Sequence, residues 1–365
     1  MTDQFVIITP ELRAGTGGVA DHTSQLLEHW KPRQRPTILV ARVSDMESGQ
    51  HGVSQLGSDR AAILRQLPGN GGKVFVQYSA YGYDRLGYPK NLLGALVEWK
   101  QQVGGRLIVM FHEIWTFWPI INRNFLLQRF HRRAIKRLMA VSDVAFTSTA
   151  SQAEHLQRLQ AGAPIRVLPV GSNIQRNSVR NIERRPRWAV LFGLQQTRLR
   201  ALQTMAKSLK ALAAASQVTK IVSLGHGSNP QMSERERKLL EDLKLADGFD
   251  QLGPRTEEEI SEMLSTASFG IFGQNELSCG KSGSFMGYAM HGLKVLAEFA
   301  SPAKAAPVCY LVAPHELLGG ISSDEIDRRA NSLQTWQNQN SSWDLIAGKL
   351  ADALEIDAPR PGTTV

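Results

Sequence analysis

Short, nearly continuous apolar runs, each followed by a helical stretch, govern what this chain can fold into. Phe5–Thr9, Thr37–Ala41, Lys73–Tyr78, Arg106–Phe111, Val144–Thr147 and Arg166–Pro169 punctuate the first half. They lack the regular apolar–polar alternation of a strand with one wet face, so both faces of each need covering. Val19–Trp30 and Asn91–Gln102 supply such cover, the second repeating Leu92, Leu93, Leu96, Val97 and Trp99 at helical spacing. The pattern predicts an α/β fold with a doubly wound parallel sheet.

A polar, Arg-rich segment from about Gln175 to Arg187, closed by Pro186, interrupts this order, and the same grammar then restarts. Strands are expected at Trp188–Phe192, Lys220–Leu224, Phe269–Phe272 and Val295–Ala297. Helices are expected at Leu199–Ala215, Ser233–Leu245, Thr256–Ser265 and Ser284–His291. Two Rossmann-like domains follow, residues 1–175 and 186–340, with ligands expected in a central cleft. The length of 365 residues suits two such domains.

The composition, 42% hydrophobic and 21% charged, excludes a disordered chain. No apolar run approaches the roughly 18 residues of a membrane span, and MTDQFVII has no basic signal-peptide start. A cytoplasmic protein is expected. With only Cys279 and Cys309, a disulfide framework or a zinc site of known spacing is excluded. Charge is uneven: residues 1–172 carry 20 Lys/Arg against 12 Asp/Glu, whereas residues 191–365 carry 17 against 20. The first half is therefore expected to meet something anionic, and Trp115–Leu138, aromatic first and then basic, resembles an interfacial segment. Packing inside the domain with a solvated basic face is the competing reading of that segment.

Four stretches can carry chemistry, each at a strand end. Gly15-Thr-Gly-Gly-Val19 opens a helix and lets backbone approach a phosphate or sugar, with Gly17 and Gly18 as candidate contacts. Phe111-His-Glu113 ends the strongest strand, where His112 is placed to donate to a sugar hydroxyl or phosphate oxygen. Gly193 precedes a helix with Arg198 and Arg200 in its first turns, a possible diphosphate clamp. Asn275-Glu-Leu-Ser-Cys-Gly-Lys-Ser-Gly-Ser284 joins a carboxylate, an ammonium, hydroxyls and glycines. It fails the P-loop spacing yet has the chemistry of a phosphate cradle: Lys281, Ser278, Cys279, Gly280, Ser282, Gly283 and Ser284, with Glu276 beside them.

Gly17-Gly-Val19, Phe111-His-Glu113, Leu168-Pro-Val-Gly-Ser-Asn-Ile174, Gly253 with Thr256-Glu-Glu-Glu-Ile260, and the block from Glu276 to Gly292 together resemble GT-B glycosyltransferases. The resemblance is greatest to the retaining family 4 enzymes of bacterial polysaccharide synthesis, and it runs from about residue 4 to 355. It implies an acceptor side on the first domain, a nucleotide-sugar side on the second, and a last helix near 342–355 crossing back to the first. Glu276 fits the first position of the family's Glu-x7-Glu, but the second falls on Ser284. The Lys usual five residues after the Arg is Gln203, which leaves Lys281 as the replacement cation. The resemblance places His112 at the donor sugar, Gly18 at the diphosphate, and Gly253, Pro254 and Arg255 near the base.

The implied activity is hexosyl transfer from a nucleotide-sugar, a UDP-sugar such as UDP-glucose being favoured, to a glycan or lipid-linked acceptor. No cofactor or metal is expected, because no Asp-x-Asp triplet occurs and cationic side chains would stabilise the leaving group. An anionic membrane surface is an expected partner, making the protein peripheral at the inner membrane. A nucleotide-sugar epimerase of the same fold and an inactive basic binding protein are the alternatives. No nucleic acid is expected, since no helix-turn-helix, zinc or single-strand-binding signature is present.

Overall fold

The structure, a computed structural model, describes residues 4–13, 17–32, 34–42, 52–114, 127–159, 164–176 and 183–355. The chain divides into two compact units: Met1–Pro169 with Trp343–Val365, and Val170–Ser342.

The first unit runs β1 (Phe5–Thr9), α1 (Gly18–Glu28), β2 (Thr37–Val40), β3 (Val53–Gln55), α2 (Arg60–Gln66) and β4 (Lys73–Tyr78). It continues through α3 (Ala80–Tyr83), α4 (Lys90–Val103), β5 (Arg106–Phe111), α5 (Leu127–Val141), β6 (Val144–Thr147), α6 (Ala150–Leu159) and β7 (Ile165–Val167). The second unit runs β8 (Arg185–Phe192), α7 (Gln195–Thr204), α8 (Ala206–Ala214), β9 (Lys220–Leu224), α9 (Pro230–Glu241) and β10 (Phe249–Gly253). It ends with α10 (Glu257–Thr266), β11 (Ala267–Ile271), α11 (Gly283–Met290), β12 (Lys294–Leu296), α12 (Pro314–Leu318) and α13 (Ser323–Ser341). The last helix, α14 (Trp343–Leu354), belongs to the first unit.

In the first unit the parallel strands order as β3-β2-β1-β4-β5-β6-β7. Side chains of a strand alternate between faces, which splits the core in two. Val6, Ile8, Val74, Val76, Leu107 and Val109 pack with Leu93, Leu96 and Trp99 of α4 and Ile135 of α5. Phe5, Ile7, Phe75, Ile108 and Met110 pack with Leu26 of α1 and with Trp343, Ile346, Leu350 and Leu354 of α14. One face of the sheet is thus covered jointly by α1 and by α14.

The second unit orders its strands β10-β9-β8-β11-β12, again parallel. Val190, Val222 and Val295 face Leu264, Phe285 and Tyr288 on one side. Ala189, Leu191, Ile221 and Ile271 face Leu202, Leu209, Leu212 and Leu240 on the other. The helix expected over 199–215 is two, broken at Met205, and Leu202, Met205, Leu209 and Leu212 all reach the same core. Each sheet reverses its direction of growth once, between β1 and β4 and between β8 and β11. Loops at the carboxyl ends of such neighbours diverge to opposite faces and leave a crevice for ligands.

Arg198 corrects an expectation from the sequence. Its side chain is 3% exposed, and Nε and Nη2 donate to Glu236 Oε1 and Oε2 at 3.0 and 3.1 Å. Nη1 donates to the Gly193 carbonyl at 2.6 Å, and Ser223 Oγ donates to the same Glu236 carboxylate. The guanidinium is committed to tying the β8–α7 turn to β9 and α9, which leaves it no role as a diphosphate clamp. Removing one partner of a buried pair leaves the other charge uncompensated, at a cost of about 3–5 kcal/mol. Arg198→Leu is therefore expected to lower the melting temperature sharply in a calorimetric scan, and the double variant with Glu236→Leu to recover part of the loss.

Candidate functional site

At the carboxyl edge of the second sheet, β8 and β9 each end in a glycine. Gly193 has φ +141° and Gly225 φ +128°, backbone that other residues rarely adopt. A Cβ on Gly225 would lie 2.3 Å from the Gly193 carbonyl oxygen, so the two turns approach closely only because that side chain is absent. Beyond the switch, β11 leads through Gln274 and Asn275 into a 3₁₀ turn, Glu276–Lys281, and then α11. Ser282 caps α11, its Oγ accepting from Phe285 N at 3.3 Å, and lies 3.1 Å from Ser284 Oγ. Ser284 Oγ in turn lies 3.5 Å from where a Gly193 Cβ would stand. Gly193, Ser282, Gly283 and Ser284 therefore meet at the crevice between β8 and β11, with hydroxyls at a helix N-terminus, an arrangement suited to phosphate oxygens.

The 3₁₀ turn separates residues that shape it from residues that face outward. Ser278 donates to Asn275 Oδ1 at 2.8 Å, and the Gly280 carbonyl accepts from Val170 N at 2.9 Å. Cys279 is buried in the core, and burial pushes its thiol up to about 12, with Glu276 adding to the shift. These three residues hold the turn in shape, and the expectation that Cys279 contacts a nucleotide is corrected by its burial in the core. Lys281 is exposed. The Glu276 carboxylate is paired with the Lys304 ammonium, each 41% exposed, and Lys304 also lies 5.9 Å from the Phe299 ring. Lys304 was not expected from the sequence. Its only signal is that it is the sole charged side chain between Glu298 and His315.

The other expected residues of this unit lie apart. Arg200 is exposed on α7. Gly253 ends β10 with φ +67° and accepts from Gly225 N at 2.9 Å. Pro254 and Arg255 are exposed, with Arg255 donating to the Pro254 carbonyl and standing 3.9 Å from Glu259. β10 is two strands from β8, roughly 10 Å at sheet spacing.

In the first unit, the β1–β4 switch gathers a second cluster. Gly17 caps α1 and Gly18 opens it, and a Cβ at Gly18 would meet nothing within 4 Å. The chain's own packing does not require that glycine. Residues 14–16, the rest of this loop, lie outside the described residues, as do Trp115–Leu126 of the aromatic-then-basic segment. Gln77 of β4, 0% exposed, stands between two imidazoles. Its Nε2 donates to His22 Nδ1 at 3.1 Å, and its Oε1 accepts from His112 Nε2 at 2.5 Å. The two rings are 4.8 Å apart, edge to face, and His22 also meets Trp343 of α14 at 5.0 Å. Burial pushes the His112 imidazole down to about 4. Burial, and then His112, hold His22 well below its ordinary value. Both rings are neutral at physiological pH. Glu113, exposed beside His112, accepts from Ser79 Oγ at 3.2 Å.

No protein-family model matches the sequence, and no characterised protein matches it at the sequence level. Solved structures do match. The chain is similar to the N-terminal domain of Candida albicans trehalose-6-phosphate phosphatase, with TM-score 0.62 and 9% identity over 98% of this chain and 97% of that one. It is similar to Anabaena HepE, determined with UDP and glucose, with TM-score 0.57 and 12% identity over 97% and 99%. It is also similar to a UDP-N-acetylglucosamine 2-epimerase from Listeria monocytogenes, with TM-score 0.54 and 11% identity over the whole of both chains. At such identities the likeness establishes the fold and leaves the reaction to the residues. The fold is that of the GT-B nucleotide-sugar glycosyltransferases.

Proposed function

We propose that this protein is a glycosyltransferase that moves a hexose from a nucleoside diphosphate-sugar, with a UDP-sugar such as UDP-glucose favoured, to a glycan or lipid-linked acceptor. The observation that carries the reading is the crevice between β8 and β11. There Ser282 and Ser284 stand at the N-terminus of α11 against the Gly193 turn, with Glu276 and Lys281 on the adjoining turn. Donor cleavage develops negative charge on the diphosphate, and fixed donors and cations aimed at that charge lower the barrier. In this reading the α11 N-terminus, the two serine hydroxyls and Lys281 receive the diphosphate.

Glu276 then orients the sugar hydroxyls, exchanging its bond to Lys304 for bonds to the donor. The resemblance assigns Gly18 to a phosphate and His112 to a sugar hydroxyl in the first unit, and, in the second, Arg200 to the diphosphate and Gly253, Pro254 and Arg255 to the nucleoside. The cationic and hydroxyl character of the crevice supports a reaction without a metal ion. Retention follows if the acceptor attacks from the face the diphosphate leaves, with the departing phosphate oxygen taking its proton. No protein nucleophile is needed. Lys281→Ala is expected to lower kcat by on the order of 10²–10³ and to leave the melting temperature unchanged, because its side chain is exposed. An unchanged rate at saturating donor would remove Lys281 from the mechanism.

The acceptor side of the proposal rests on α5. Its buried face is His131, Ala134, Ile135, Leu138 and Met139, whereas Arg129, Arg132, Arg133, Lys136 and Arg137 are exposed and no acidic residue occurs in the helix. Phe130, 49% exposed, adds an apolar side chain to the outward surface. Each basic residue near an anionic bilayer contributes about 1 kcal/mol, which favours reversible, salt-sensitive attachment. Among the described residues no helix is long and apolar enough to cross a membrane. Replacing Arg132, Arg133, Lys136 and Arg137 by Gln is expected to abolish co-sedimentation with phosphatidylglycerol vesicles at low salt. A wild-type protein that ignores those vesicles would point to a soluble acceptor.

A further inference from the structure

The His22–Gln77–His112 cluster carries more information than the position of one histidine. Backbone contacts already fix where His112 sits: its N–H donates to the Tyr78 carbonyl at 3.0 Å, and its carbonyl accepts from Gln152 Nε2 at 3.3 Å. They do not fix the ring or its proton. Gln77 can, because an amide offers a donor at one end and an acceptor at the other. The strand that bears it is itself tied down, its carbonyl accepting from Tyr83 OH at 2.9 Å.

With the Gln77 amide donating to His22 Nδ1, the neutral His22 ring carries its proton on Nε2. The Gln77 oxygen then requires a proton on His112 Nε2, which leaves His112 Nδ1 unprotonated, with a lone pair able to accept. The reversed amide would force both rings into the Nδ1–H form, intrinsically the less favoured tautomer of a neutral histidine. His22 adds a second argument. Among the described residues its Nε2 is buried without a hydrogen-bond partner, an unfavourable arrangement that an apolar residue would avoid. Its side chain bonds, among the described residues, to Gln77 alone.

We infer that Gln77 is a positioning residue that, anchored by His22, locks His112 as the Nε2–H tautomer, so that His112 meets its ligand as a hydrogen-bond acceptor. This rests on the proposed glycosyl-transfer function and narrows it. A bare Nδ1 accepts from a sugar or acceptor hydroxyl and repels a phosphate oxygen. The sequence led to the opposite expectation, a His112 that donates. The ligand group at this point is a hydrogen-bond donor, such as a hydroxyl.

The test reads the proton directly. In protein labelled with ¹⁵N-histidine, a long-range ¹H–¹⁵N correlation at neutral pH assigns the His112 ring by its loss in His112→Asn. The expected pattern is an unprotonated Nδ1 and a protonated Nε2, and a protonated Nδ1 would overturn the inference. Gln77→Leu is expected to return His112 to a mixture of tautomers and to lower kcat by on the order of 10²-fold, with the Kd for UDP unchanged. A His112 spectrum identical in Gln77→Leu would also overturn it. Because the tautomer is read without donor or acceptor, a correct spectrum in a protein that transfers no sugar would sink the function and leave standing only the positioning of His112 by Gln77.

Discussion

The two-pronged contact between Arg198 and Glu236 is the interaction on which the crevice of the second unit depends. It joins α7 to α9 and, through the Gly193 carbonyl, sets where β8 turns. Gly193 and Gly225 can then pass within the distance of a missing methyl group, and Ser284 can approach the same turn from beyond the strand reversal. Burying an ion pair is not in itself a route to stability, since desolvation offsets most of the attraction. What this pair supplies is a single geometry for a turn whose Gly193 leaves the backbone otherwise free.

A comparable economy governs the first unit. There an amide rather than an ion pair lies at the strand reversal, and α14 provides both part of the apolar cover of one sheet face, beside α1, and the Trp343 ring against His22. Both sheets thus use the crevice that strand order creates, but with different chemistry. The second unit offers hydroxyls, a helix N-terminus and an exposed ammonium. The first offers neutral imidazoles, whose charge burial has removed.

Much of this was legible in the sequence, and the failures have physical causes. The inner strands were read where burial on two faces demands continuous apolar side chains, as in Arg106–Phe111, whereas the polar start of β8 at Arg185 and the Ala267-Ser268 start of β11 were not. β3 and β10 went unread because each is a sheet edge, and Val53-Ser-Gln55 and Phe249-Asp-Gln-Leu-Gly253 are mostly exposed or half-buried. Arg198 was misread because sequence shows a charge near a helix N-terminus and not that Glu236, 38 positions away, waits for it. Gln77 and Lys304 were missed for the same reason. Their meaning lies in partners, His22 with His112 and Glu276, that only the folded chain brings near.

The central claim is that the second unit's β8–β11 crevice receives a nucleoside diphosphate-sugar. The direct measurement is the melting temperature of the full chain titrated with UDP-, GDP- and ADP-sugars. A ligand that binds the folded state adds about 2.7 kcal/mol of stability at a hundred times its Kd. The account predicts a saturable rise with one nucleotide class that Gly193→Val, placed at the turn, reduces or removes. No rise with any of the three at millimolar concentration would contradict it.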